Sequence, residues 1–324
     1  MLKDQFLLKN IQLKNRLVMP PMENGKASQE GYVTEQTIKH YNERTVGGNI
    51  GLVITEHMFV TKDGQAAIGQ CGIYDDSCIP GLKELTKQLH ANGSKVFAQL
   101  SHTGVNTRVP ENKRSGSLIA PSDITIENNS AEEMDISTIN HIKEAFVSSA
   151  IRAKEAGYDG VEIHCAHAYL LNLFYSPISN KRKDAYGKTI EGRTRLSCEI
   201  ISEIKKKTGD EFPVGIRFGA IDYMDGGSTL EEVIPAVQLF LAAGVDFIDV
   251  SGGLCGGVRK GHTEPGYFKE ASIEIKNNFD IPVILTGGIK TAEQAEILLE
   301  ENAADLIGVG RALYANASWA EQQL

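Results

Sequence analysis

The chain has 324 residues, of which 41% are hydrophobic, and carries a formal net charge of −9 with a pI near 5.5. That length and apolar fraction suit one large α/β barrel and exclude a small module. The acidic balance excludes a non-specific grip on nucleic acid or on an anionic membrane.

A short cap comes first, Phe6-Leu7-Leu8 followed by Ile11-Gln12-Leu13, and reads as a β-hairpin. An alternation of short apolar runs and helical stretches then repeats eight times. The β-type runs are Leu17-Val18-Met19, Gly51 to Thr55, Lys95 to Leu100, Gly160 to Ile163, Val214 to Arg217, Phe247 to Val250, Val283-Ile284-Leu285 and Leu306 to Val309. Their nearly continuous apolar character predicts parallel strands covered on both faces. The clearest helix runs from Ser137 to Glu155, with Ile142, Ala145, Phe146, Ser149 and Ala153 at helical spacing. Thr229-Leu230-Glu231-Glu232 and Thr291-Ala292-Glu293-Gln294 read as capping boxes. Asn92-Gly93, Ala156-Gly157 and Ala243-Gly244 mark helix ends ahead of strands. The polar stretch from His102 to Asp135 reads as an excursion over the barrel mouth. The prediction is an α/β fold, a (β/α)8 TIM barrel with a short N-terminal β-hairpin cap, with residues 1–324 as one domain. A doubly wound open sheet is the alternative.

Five cysteines, Cys71, Cys78, Cys165, Cys198 and Cys255, are scattered without a CxxC pair. That pattern argues against a zinc ribbon, an iron–sulfur cluster or a disulfide framework. The start of the chain has no apolar signal core, and no run nears the ~18 apolar residues of a membrane span. The expectation is a cytoplasmic protein with a small-molecule substrate, no nucleic-acid or membrane partner, and a homo-oligomer left open.

Unusual polar residues cluster just after the predicted strands: Glu23, then Glu56 and His57, then Gln99 and His102. His164 and His167, Arg217, Ser251-Gly252-Gly253, Gly287-Gly288 and Gly310-Arg311 complete the series. In a barrel these positions share the face on which active sites are built. The fourth run ends in His164 and His167, with Tyr169 two residues on. Imidazole N–H groups are good donors to an oxygen gaining negative charge, and a phenol can give up a proton. The competing reading makes one histidine a satisfied core residue and leaves the other exposed. A metal site on His164 and His167 lacks a third ligand at standard spacing.

Gly287-Gly288 and Gly310-Arg311 follow the seventh and eighth strands, where barrels bind phosphate. Glycines let backbone N–H groups approach an anion closely, and Arg311 adds a charge-assisted contact. Gln99 both donates and accepts, which suits a heterocycle edge or a polar plug of the barrel interior. Arg217 closes an apolar run, so it pairs with a structural acid or stabilises an anion on a ligand. No Rossmann fingerprint follows the first strand, so a nicotinamide cofactor has no domain of its own.

Asn15 to Met22, the His164, His167-Ala168-Tyr169 run, Ser176 to Gly187, Glu191-Gly192-Arg193-Thr194-Arg195 and Gly310-Arg311 resemble the old yellow enzyme family over about residues 5 to 315. These are FMN-containing, NADH- or NADPH-dependent ene-reductases on a (β/α)8 barrel. The resemblance implies that Pro21, Met22, Glu23, Gln99 and Arg217 surround the isoalloxazine, with Gly287, Gly288, Gly310 and Arg311 on the FMN phosphate. It implies that His164 and His167 bind a carbonyl or nitro oxygen while Tyr169 supplies the proton; the missing third ligand leaves no metal expected. The chain departs from the family pattern at Glu23 (usually Thr or Cys), Gly25 (an aromatic), Ala168 (Gly) and Gly192 (Asn). The motif His102-Thr103-Gly104-Val105 also lacks a terminal Arg. Competing readings are a nitroreductase, a demethylating dehydrogenase, a flavin-free lyase or hydrolase using His164 as base, and a degenerate binding barrel. An aldolase would want a Schiff-base lysine at a strand end, and none is present.

Overall fold

The computed structural model describes residues 1–324. Strands β1 (Phe6–Leu8) and β2 (Ile11–Leu13) pair antiparallel as the expected hairpin. Eight further strands then close a parallel barrel: β3 (Leu17–Met19), β4 (Leu52–Phe59), β5 (Lys95–Ser101), β9 (Gly160–Cys165), β10 (Val214–Ile221), β11 (Phe247–Gly252), β12 (Val283–Leu285) and β13 (Leu306–Gly308). Closure comes from β13 pairing with β3, which rules out an open sheet.

Alternation along each strand sorts the side chains. Leu52, Ile54, Phe97, Phe247, Ile284 and Leu306 point into the barrel floor, where Leu8 and Leu13 of the hairpin pack against them. Val53, Val96, Ala98, Val161, Ile163, Ile216 and Val250 face outward into the main core under the helices. The strand runs read from sequence sit within these elements apart from one residue each, at Gly51 and Val309, but β4 and β10 continue four residues further. The extra length of β4 carries Glu56 and His57 toward the mouth.

Helix α3 (Ile136–Glu155) matches the expected stretch; Asp135 caps it by accepting the Thr138 N–H at 2.7 Å. The two predicted capping boxes are corrected. Thr291 accepts the Gln294 N–H at 3.2 Å, but the Gln294 side chain bonds the Lys290 N–H instead of returning to Thr291. Thr229 makes no side-chain cap bond, because Leu230–Glu232 form a tight 3₁₀ turn before the next helix, whose geometry differs from an α-helical first turn.

The excursion between β5 and α3 carries its own small sheet: β6 (Ile119–Ala120), β7 (Ile124–Ile126) and β8 (Asn129–Glu133). Val105, Leu118, Ala120 and Ala131 pack it onto Ala168 and Leu173 at the barrel mouth. Arg182 anchors it, donating from Nη1 to the carbonyls of Pro121 at 3.0 Å and Met134 at 2.6 Å. The segment Ser176 to Gly187 therefore works as a brace. Asn180 bonds the carbonyls of Phe174 and Tyr186, and Ser176 donates to Asp222 at 2.6 Å.

Candidate active site

A cavity of about 630 Å³ opens at the carboxyl ends of the barrel strands. Pro21, Met22, His167, Arg217, Gly287, Gly288, Gly310 and Arg311 all line it. One end is made of backbone. Gly287 and Gly288 hold φ of +115° and +70°, a region that side chains resist. A Cβ on Gly287 would sit 2.9 Å from the Tyr267 ring. Arg311 reaches over this end, donating to the Tyr267 hydroxyl at 2.8 Å, and Lys290 joins the wall. Glycines, exposed amides and two cations fit a phosphate.

Beneath the other end lies a charged layer. Arg217, mid-strand in β10, is paired in register with His164 and Asp249, and Gln99 with Glu162. Gln99 donates to Glu162 at 2.7 Å, and the Arg217 Nε lies 3.4 Å from an Asp249 oxygen. Burial raises both carboxyls; Asp249 raises Glu162 further, and Arg217 opposes both shifts. Arg217 Nε and Asp249 are ion-paired, yet neither that nitrogen nor either Asp249 oxygen makes a hydrogen bond. A guanidinium held in this way is poised for a polar ring edge, which fits a flavin.

The third group is aromatic and titratable. The His164 ring centroid lies 5.1 Å from His167 and 4.8 Å from Tyr169. His167 Nε2 is 2.7 Å from Ser251 Oγ, while His164 Nδ1 is buried with no partner. Burial holds both imidazoles well below their ordinary value, and Arg217 and neighbouring histidines push the same way. Both are therefore neutral at pH 7, each with one N–H to offer. No third His, Cys, Asp or Glu joins them as a metal-holding group. Burial and the Glu23 charge push the Tyr169 phenol up to about 12, with Arg108 opposing, so it keeps its proton.

The backbone that presents these groups is unusual. His167 and Ala168 are consecutive non-glycine residues in the left-handed region, at φ of 60° and 59°. This reverses the chain after β9, so His164, His167 and Tyr169 converge.

Glu23 turns to Arg108, whose Nη2 contacts its two oxygens at 2.6 and 2.8 Å, and lies 3.4 Å from His57 Nε2. Burial opposes its ionisation, but the His57 and Arg108 contacts win and hold the carboxyl below its usual range. Arg108 arrives from the excursion to make this pair, while Arg217 faces Asp249. His102 turns away, accepting the Gly104 N–H at 3.0 Å on Nδ1.

His57 is the residue that sequence reasoning placed at the mouth without giving it a role. Inward Leu52 and Ile54 imply an inward Glu56 and an outward His57. A β-bulge between Thr55 and Met58 reverses this. The freed Glu56 N–H donates to the Tyr41 hydroxyl at 2.7 Å, Glu56 turns outward to Cys71, and His57 reaches Tyr169. No signal in the sequence marks the bulge.

A phosphate cradle, His167 and Arg217 on one cavity, with a second neutral imidazole, His164, packed against His167, define the class: an FMN-binding (β/α)8 oxidoreductase. Residues 5–323 match the model of the NADH:flavin oxidoreductase / NADH oxidase family. The chain is 37% identical to an NADPH dehydrogenase of Clostridium acetobutylicum, over 97% of this chain and 91% of that protein. It is 36% identical to an NADH oxidase of Thermoanaerobacter brockii, over 96% of this chain but only 48% of that longer protein. Among solved structures, an old yellow enzyme homologue from Zymomonas mobilis superposes with a TM-score of 0.84 at 25% identity, covering 99% and 91% of the two chains. A 2-naphthoyl-CoA reductase bound to 2-naphthoyl-CoA gives 0.91 at 25% identity, covering 99% of this chain and 51% of that one. The chain belongs to the old yellow enzyme family, and is a flavin-dependent oxidoreductase that draws electrons from a nicotinamide.

Proposed function

We propose that this protein reduces activated alkenes such as enones, using NADH or NADPH. The observation that carries the reading is the convergence of two neutral imidazoles and a protonated phenol, with a buried His164 Nδ1 left unpartnered.

Bound FMN supplies hydride transfer between the nicotinamide and the alkene. Gly287, Gly288, Gly310 and Arg311 hold its phosphate; Pro21, Met22, Gln99 and Arg217 hold the ring, with Glu23 adding a negative charge on the same loop. His164 and His167 bind the substrate's carbonyl oxygen and polarise it. Tyr169 gives its phenolic proton to the carbon next to that carbonyl, a step that needs a positioned acid. No helix of the fold is long and apolar enough to cross a membrane. The five unpaired thiols support placing the protein in the cytoplasm.

The test is direct. The purified protein is expected to be yellow, to release FMN on denaturation, and, once reduced anaerobically, to be reoxidised by an enone. Tyr169→Phe is expected to slow enone reduction far more than quinone reduction, because solvent can protonate quinone oxygens. A colourless protein that takes up no added FMN overturns the reading.

A further inference from the structure

We infer that His57 is a positioning residue for Tyr169: its ring proton is fixed on Nε2, and that N–H orients the phenol and steadies the phenolate left after proton transfer. The inference rests on Tyr169 being the proton donor.

The tautomer follows from hydrogen bonding. Gln70 is fully buried, and its Oε1 accepts the Ala66 N–H at 2.7 Å, which fixes the amide's orientation. Its NH₂ group therefore faces His57, donating to the His57 carbonyl at 2.8 Å and meeting the ring Nδ1 at 2.7 Å. A nitrogen that faces an amide donor must accept, so the ring proton sits on Nε2. The Nε2 has two oxygens before it, Glu23 at 3.4 Å and the Tyr169 hydroxyl at 3.5 Å. Arg108 holds Glu23 from the solvent side, and it also faces the Tyr169 hydroxyl, favouring its ionised form while the Glu23 charge opposes it.

The chemistry is limited by the same geometry. In the transfer, the Tyr169 O–H bond breaks, a C–H bond forms on the substrate, and the electron pair stays on the phenolate oxygen. His57 donates a hydrogen bond to that oxygen and keeps its own proton. Nδ1 is occupied by the Gln70 amide, so no proton can enter the ring there and leave at Nε2. His57 therefore stabilises and does not relay; the phenolate regains its proton from water at the mouth. The bulge at Thr55 to Met58 puts His57 there, at the cost of turning Glu56 into the outer core.

Ring ¹⁵N spectra of the labelled holoenzyme are expected to show His57, assigned by loss of its signal in His57→Gln, protonated on Nε2 alone. A proton on Nδ1 overturns the inference. Gln70→Glu, which replaces the donor with an acceptor, is expected to move the proton to Nδ1 and slow enone reoxidation about 10-fold, leaving quinone reoxidation unchanged. The Tyr169 phenol, followed by ¹³C labelling at Cζ, is expected to ionise at higher pH in His57→Leu, with His57→Gln partly restoring it through its amide donor. His57→Leu is expected to add nothing to Tyr169→Phe; equal slowing in both backgrounds overturns the inference. Tyr169→Phe slowing enone and quinone alike overturns the donor reading, and the kinetic half of this inference with it. The phenol titration then still decides whether His57 acts on Tyr169: an unmoved titration overturns the contact.

Discussion

The two ends of the cavity are built by opposite means. The phosphate end is largely backbone: Gly287 and Gly288 work by lacking side chains, and Arg311 and Lys290 supply the cations. The substrate end is side chains, and their convergence depends on two irregularities, the bulge in β4 and the left-handed pair His167 and Ala168. A backbone cradle follows from the fold, whereas a side-chain cluster at a strained turn must be held by its surroundings. Glu23 and Ala168 both lie at the substrate end.

Loss of a polarising donor should separate the two ends most sharply. His164→Ala is expected to slow flavin reoxidation by enone by roughly 10²–10³-fold, about 3–4 kcal/mol, with FMN still bound. Stopped-flow reoxidation and the flavin-to-protein absorbance ratio check both halves of this outcome.

The outward side of the bulge gives a stability test. Burial, with the Glu23 charge adding to it, raises the Glu56 carboxyl to about 8 despite contacts from Cys71 and Asn24. A carboxyl raised on folding contributes stability that is complete below its unfolded value, ~4.3, and is lost as pH rises through its folded value. Glu56→Gln is therefore expected to stabilise the protein increasingly from about pH 5 up to about pH 8 and evenly beyond, as read by urea unfolding across pH. A constant offset at every pH would show that Glu56 does not titrate in this window.

At the phosphate end, Arg311→Ala removes a charge-assisted contact. It is expected to weaken FMN retention about 10–100-fold, while unfolding of the flavin-free protein is unchanged and enone chemistry of the remaining loaded enzyme is nearly so. Fluorescence titration with FMN measures it.

The smallest effect tests the strained turn. Ala168→Gly relieves a left-handed alanine and is expected to stabilise the fold by about 1 kcal/mol, visible in thermal or urea unfolding. A reoxidation rate that falls in the same variant would show that the rigidity of this turn, beyond its shape, serves the chemistry. Not every departure from the family pattern is reversible in this way. A Cβ on Gly192 would lie 2.0 Å from the Gly187 carbonyl, so Gly192→Asn needs the brace to move.

The barrel was legible because parallel strands buried on both faces leave continuous apolar runs, and all eight appear where the sequence shows them. The cradle was legible because a glycine pair follows the seventh strand, and the φ of +115° at Gly287 is one that side chains resist. His164, His167 and Tyr169 were legible because they end an apolar run. His57 was not, since alternation assigns it to the wrong face and a bulge leaves no residue signature. Arg108 was not, since it sits in a polar excursion whose path is set by tertiary contacts such as Arg182 with Pro121 and Met134. The Thr229 box failed because local pattern alone does not separate a 3₁₀ turn from an α-helical start.

The hairpin under the barrel has a consequence for reaction order. Leu8 and Leu13 seal the floor against Phe97 and Phe247, so the barrel is a blind well with a single opening. On the proposed function, donor and acceptor are expected to share the mouth and to take the same place in turn. Initial velocities should then give parallel double-reciprocal lines, and each partner in excess should inhibit by occupying the place of the other.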